Sequence, residues 1–488
     1  MNLVLLRPEL AVLVTAVLVI LADLFVRRKG VLTVLSIVGL VVAGVYTMLE
    51  WEAGGQSVAG LVAVDNFALF FKVLFLGIAA FVILFSTDYM GKFATFRGEY
   101  HALVLLATLG MMLLSSATEL ITLYVSLEVL SLSVYALSGF LKDARSSESA
   151  LKYMLLGAVS SAVLLYGMAL IYGFTGSTQL SGIAAAIGNV SSTRVLDSPG
   201  LLMGIALLVA GFGFKVAAVP FQLWVPDVYE GAPTPITGFL SVGSKAAGFA
   251  LILRVFYSAF LTPDWLSLDW GTVYAVIATI GMIVGNVSAI GQSNIKRLLG
   301  YSSIAQAGYL LVGVATLGFA PASATIGRSA ILFFLFSYAL ANLGAFAAII
   351  AISNRINSDE IKDYAGMGKR APLLALSLTV CLISLIGMPP AAGFMAKFYL
   401  FNGAVQNGLV WLVIIAVLNS VISAFYYLRV VKAMWFTEVA ESAVLDRVPA
   451  SGALRFTLAL TTLGVLFVGV APGLVMKLAQ WAATMIGM

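Results

Sequence analysis

Four ionisable side chains stand in otherwise apolar surroundings: Glu128 in LYVSLEVLSLSVYALSGF, Lys215 in GFGFKVAAVP, Lys245 in FLSVGSKAAGFALILR and Lys397 in AAGFMAKFYLF. On insertion scales a charge at the centre of a bilayer costs about 2.5–3.5 kcal/mol, so each needs a reason. Two of the lysines lie beside helix breakers. Pro220 follows Lys215 by five residues, has no N–H to offer the carbonyl of Val216, and crowds it. Pro389 and Pro390 free the carbonyls of Leu385 and Ile386 in the same way, Gly387 and Gly393 loosen the same region, and Lys397 comes about two turns on. Freed backbone at membrane depth is tolerated only where it faces protein or water. A lysine beside a broken helix, found twice, therefore reads as a hydrated ion pathway near mid-membrane. Three lysines and a glutamate are poor ligands for a metal cation, which wants oxygen donors. A lysine can carry a proton and release it on desolvation, so proton transfer fits better. Glu128 can hold Lys215 charged when near it and let it deprotonate when the two separate. Ser126, Ser131, Ser241, Ser244, Ser302, Ser303, Gln306 and Asn419 can order water between the charged sites.

Plainer readings stand beside these. Glu128, Lys215 and Lys245 can be helix-to-helix contacts, and Lys397 can snorkel. Lys152 lies only a turn or so inside ESALKYMLL and reads first as a snorkelling lysine. Lys72 in the third apolar span reads as a helix contact or a lipid-edge residue. Arg254 reads as interfacial, and His101, which opens a span, as a satisfied interface residue. The aromatic-rich runs read as lipid-facing or core packing.

These residues need elements that hold them in a membrane. The 488 residues are 61% hydrophobic and 10% charged, with mean hydropathy +1.05, which no soluble domain of this size matches. Apolar runs of spanning length recur about fourteen times, giving an all-α polytopic membrane protein of about 14 transmembrane helices. The N-terminal run MNLVLLRPELAVLVTAVLVILADLFVRRKG is too long for a signal peptide, its charges follow the apolar stretch, and no small-residue cleavage site appears. It is read as the first span. The net charge of +5 comes from loop Lys and Arg, which argues against a nucleic-acid partner. With one cysteine, Cys381, and one histidine, His101, neither an intrachain disulfide nor a metal redox centre is expected on this chain.

Odd-numbered loops carry fourteen Lys and Arg, among them Lys92 and Arg447, while the even loops carry two, Arg194 and Arg328. The positive-inside rule then places the odd loops in the cytoplasm and both termini outside. The seventh and twelfth spans carry the breaks, five helices apart. Two blocks of five, residues 101–258 and 271–436, would each break at the fourth helix, and because five is odd they would run in opposite senses. That is the arithmetic of an inverted repeat. Residues 1–100, with helices 1–3, and 455–488, with a single fourteenth helix, would flank the pair.

The stretches FGFKVAAVPFQLWVPDVYEGAPTPITGFLSVGSKAAGFALILR, GQSNIKRLLGYSSIAQAGYLLVG and LTVCLISLIGMPPAAGFMAKFYLF resemble the antiporter-like subunits of respiratory complex I, the proton-translocating NADH:quinone oxidoreductase. The YEGAPTPITGFLSVGSKAAG tract and the lysine at 397 are similar to the bacterial N, or ND2-type, branch. The resemblance implies a subunit without a redox cofactor, in a complex whose other subunits handle FMN, iron–sulfur clusters, NADH and quinone. It implies proton translocation driven by quinone reduction elsewhere, other membrane-arm subunits and the lipid bilayer as partners, and the bacterial inner (plasma) membrane as the location. It further implies that Glu128 and Lys215 form a coupling pair, that Lys245 relays the proton, that Lys397 lies toward the exit, and that Lys152 is a lesser member. One departure is visible. Where the family often has SSIAHxGY, this chain reads SSIAQAGY, with Gln306 in place of a titrating histidine. Glutamine can only orient water and hydrogen bonds. A homologous subunit of a cation/proton antiporter or membrane-bound hydrogenase, a stand-alone secondary transporter, and a purely structural subunit remain alternatives.

Overall fold

In lipid a backbone has no hydrogen-bonding partner but itself, so long apolar runs must close their own ladders as helices. The computed structural model describes residues 3–51, 55–89, 91, 97–188, 199–260, 264–319, 324–438 and 451–484; Lys92, Arg194 and Arg447 lie outside them. The chain opens with α1 (Arg7–Phe25), α2 (Gly30–Leu49), a hairpin of β1 (Gln56–Val58) and β2 (Val62–Val64), and α3 (Asn66–Ser86). Then follow α4 (Arg97–Ser116), α5 (Leu120–Ser138), α6 (Ala144–Thr175) and the short α7 (Leu180–Gly188). The seventh crossing is α8 (Pro199–Val216) with α9 (Trp224–Gly231) beyond its break. The eighth, α10, runs from Thr234 to Ala259 with a π-helical turn at Leu240–Ser244 immediately before Lys245. Next come α11 (Asp264–Ile290), α12 (Ile295–Phe319) and α13 (Ala324–Ile356). The twelfth crossing is divided into α14 (Pro372–Ile386) and α15 (Ala392–Gln406), followed by α16 (Val410–Phe436), α17 (Gly452–Val470) and α18 (Gly473–Ala483).

Thirteen helices among the described residues are long and apolar enough to span a membrane. The twelfth crossing brings the number to fourteen, because α14 is too short alone and needs α15 to complete it. The end of the chain departs from expectation. The single fourteenth helix expected within 455–488 is two helices, since Pro472 cannot continue the ladder and the chain restarts at Gly473.

Helix starts are fixed where the sequence supplies caps. The Asp65 carboxylate accepts from Ala68 N at 2.8 Å and the Asp143 carboxylate from Ser146 N at 2.7 Å, opening α3 and α6. Burial sorts the helices into layers. The apolar window of α10 is 100% buried and that of α12 94%, against 33% in α2, α6, α16 and α17. Lys245 and Gln306 therefore sit on the two most enclosed helices. The outer helices turn Val159, Val421, Phe436 and Val470 outward, toward lipid or neighbouring subunits.

Candidate functional site

The first charged cluster is built by α5, α6 and α8. Residues three apart share a helix face, so Glu128 and Ser131 both look inward from α5. Ser161 Oγ on α6 donates to Glu128 Oε1 at 2.5 Å, and Lys215 Nζ, in the last turn of α8, donates to Ser131 Oγ at 2.5 Å. The ammonium also lies 5.7 Å from the Tyr135 ring centroid. Glu128 and Lys215 make no ion pair within 4.0 Å. Immediately past Lys215 the helix stops. Ala217 takes a left-handed φ of 62°, and the indole of Trp224 donates to the Phe214 carbonyl at 3.0 Å, filling one of the acceptors the break releases.

Lys245 is the next charge inward. Gly248, one turn on, is where α10 touches α8: a Cβ there would meet Val216 Cγ1 at 2.7 Å and Lys215 Cβ at 3.5 Å. Only glycine allows the two lysine-bearing helices this approach. Lys245 Nζ donates to the Ser303 carbonyl on α12. The Ser303 hydroxyl is in turn held by Tyr229 at 3.0 Å and Tyr338 at 3.2 Å. Tyr229 comes from α9 just beyond the first break, so the segment past the break holds the side chain of the residue whose carbonyl accepts from Lys245.

Gln306 stands one turn beyond Ser303 on α12. Its Nε2 donates to the Leu385 carbonyl at 2.9 Å. Lys397 Nζ donates to the Ile386 carbonyl at 2.8 Å and to Ser420 Oγ at 2.9 Å, 4.2 Å from the Tyr309 ring centroid. Both carbonyls freed by the Pro389–Pro390 break are thus occupied, one by Gln306 and one by Lys397. Gly393 makes the sharp turn possible, because a Cβ there would sit 1.8 Å from the Ser384 carbonyl oxygen. Replacing Gln306 by leucine should leave the Leu385 carbonyl unpaired at a cost of about 1–3 kcal/mol. The expected readout is a lower melting temperature of the assembled protein.

Residues 117–423 match the family model described as NADH:quinone oxidoreductase/Mrp antiporter, transmembrane. A NADH-quinone oxidoreductase subunit N from Dehalococcoides mccartyi is 50% identical over 482 residues, covering 98% of this chain and 99% of the relative. The chain belongs to the subunit N family of NADH-quinone oxidoreductases. A chain in respiratory complex I from Thermus thermophilus with bound aureothin is 33% identical, with TM-score 0.81 over 97% of this chain and 99% of that one. A chain in the archaeal membrane-bound sulfane sulfur reductase is 25% identical, with TM-score 0.87 over 99% and 98%.

Within this subunit N chain, the structure sorts the remaining sequence candidates. Lys152 does not join the buried lysines. It is 46% exposed and pairs with Glu148 at 2.9 Å and Asp227 at 3.0 Å. Asp227 also accepts from Arg297 at 2.7 Å, while Glu230 takes Arg297 at 2.9 Å and Arg145 besides. These ion pairs tie α6, α9 and α12 together at the face opposite the one where α1 begins. Burial works against the Asp227 charge, but the hydrogen bonds from Lys152 and Arg297 outweigh it and hold the carboxyl below the usual carboxylate range. Beside this network a cavity of about 620 Å³ opens, lined in part by Thr234, Asn294, Lys296, Asn354 and Asp359.

Arg254 is not interfacial. It is buried, bonded to Asp65 at 2.5 and 3.0 Å and to the Ser115 carbonyl at 2.8 Å, because three helix ends converge there. Lys72 is a helix contact and not a lipid-edge residue; it is fully buried between α1 and α2. His101 is buried, its Nε2 3.3 Å from Thr33 Oγ1. Tyr135, Tyr229, Tyr309 and Tyr338, read from sequence as packing, face the charged groups, as do Ser161 and Ser420.

Proposed function

We propose that the chain is a proton-translocating membrane-arm subunit of an NADH:quinone oxidoreductase. In this reading protons pass along Glu128, Lys215, Lys245, Gln306 and Lys397 while quinone is reduced in other subunits. Glu128 and Lys215 act as the coupling pair. Lys245 relays through the Tyr229–Ser303–Tyr338 hydroxyls, Gln306 orients the chain without titrating, and Lys397 passes the proton toward the exit. FMN, iron–sulfur clusters, NADH and quinone belong to the partner subunits. The two broken helices belong to five-helix blocks of opposite sense, residues 101–258 and 271–436. The arginine- and lysine-rich odd loops face the bacterial cytoplasm, leaving both termini outside the inner membrane.

One observation supports this reading above the rest: Lys215, Lys245 and Lys397 each lie beside a helix interruption, each donates to a hydroxyl or backbone carbonyl, and none has a carboxylate among the described residues within 4.0 Å, unlike the buried Lys296, which pairs with Asp359 at 3.7 Å. A purely structural subunit would neutralise such charges pairwise. The near full-length likeness to a subunit N favours this complex over an antiporter or hydrogenase assembly. Purification through a tag on this chain is the test. NADH oxidation, bound FMN and proton uptake into liposomes should all travel with it. A preparation that moves a small solute or exchanges sodium for protons, without flavin or iron–sulfur partners, would reject the assignment.

A further inference from the structure

Three ionisable side chains outside both broken helices meet at the face where α1 begins. Glu9 lies in the first turn of α1, Glu50 one residue beyond α2, and Lys72 in the second turn of α3. Three consecutive helices start from, return to and leave this face, so their ends deliver charge to a common depth. Lys72 Nζ lies 2.8 Å from Glu9 Oε1 and 3.7 Å from Glu50 Oε2. The lysine side chain is 0% exposed, and those of Glu9 and Glu50 are 4% and 8%. No hydroxyl or amide among the described residues bonds to any of the four carboxyl oxygens.

Other charged groups near this end are committed elsewhere or face away. The exposed Arg7 guanidinium sits 6.0 Å from the Tyr46 ring centroid, outside the dry pocket, and is the weakest of the influences on Glu50. Asp65 and Arg254 neutralise each other at the start of α3. Glu119, beyond α4, accepts from Thr122, and Lys477 on α18 is exposed. Two carboxylates against one ammonium would then leave an uncompensated negative charge in a dry pocket. Buried carboxyls that share one site do not both ionise, and the proton they keep belongs to the pair.

We propose that Glu9, Glu50 and Lys72 form a proton-binding site separate from the lysines of the broken helices, in which the two carboxyls share one proton. Glu50, past the end of its span, has its carboxyl pushed up to about 7, chiefly by burial, with Lys72 opposing, Glu9 adding and the exposed Arg7 opposing least. The site therefore exchanges its proton near neutral pH.

The test is an infrared pH titration of the assembled complex in lipid, comparing the wild type with E50Q and E9Q. The wild type should show a protonated-carboxyl carbonyl band that fades as pH rises through neutrality. That band should be lost in both variants, since either substitution leaves one carboxylate paired with Lys72 and no shared proton. Loss in only one variant means an ordinary protonated glutamate, and no loss in either means both carboxyls are ionised; each result overturns the proposal. Failure of both glutamine variants to assemble also counts against it, because a pocket that already holds a proton accepts a neutral amide in place of one carboxyl.

Discussion

Substitution of Lys215 by methionine is expected to lower proton pumping by the assembled complex to about a tenth of wild type or less, since a positioned acid–base group is typically worth 10²–10⁴-fold. Assembly should be unaffected. Methionine fills a similar volume and adapts its shape, so no cavity opens. Nor is a buried acceptor stranded, because Ser131 still donates to the Leu127 carbonyl and Glu128 keeps Ser161. The proposed coupling requires Lys215 to move. It rests on Ser131, three residues past Glu128, so the pair closes when the ammonium shifts by about 4.5 Å along α5. A side chain at the end of a helix, beside a left-handed Ala217, has the freedom for that travel. Proton uptake and NADH oxidation in liposomes, measured against assembly on native gels, check the result.

The second large effect is expected at Lys397. Its methionine variant loses the relay and also leaves the Ile386 carbonyl without its donor, a stability cost of about 1–3 kcal/mol. Lys397→Arg separates the two. Guanidinium keeps the charge and the donors but does not deprotonate in proteins. Arginine should therefore recover the melting temperature of the complex while pumping stays at about a tenth of wild type, as expected for a missing acid–base group. Recovery of pumping by arginine would mean that Lys397 supplies only charge and structure.

What could be read from the sequence follows from what stands out against an apolar background. Glu128, Lys215, Lys245 and Lys397 were visible because their charge is costly there, and the breaks because proline cannot donate. Even the fate of two carbonyls was half legible: Pro389 and Pro390 announced that Leu385 and Ile386 would need donors. Which donors, Gln306 and Lys397, depends on helices packed far apart in sequence. The tyrosines were hidden because a ring in an apolar run looks the same whether its hydroxyl meets Ser303 or lipid. The Lys72 partners were hidden for a similar reason, since nothing local links Glu9 and Glu50 to residue 72. Arg254 looked interfacial because it is near the end of a span, and position along a helix does not say which face is covered. The break at Pro472 was marked in the sequence, but the apolar run on both sides concealed it.

The central claim is that the interrupted helices hydrate the interior and link the buried amines into one proton path. The most direct measurement is a cryo-EM map of the assembled complex at a resolution that shows ordered water. The account predicts waters bridging Lys215 to Lys245 beside the first break, and Gln306 to Lys397 beside the second. Dry apolar packing across either interval, in both the resting and the turning-over enzyme, would contradict it.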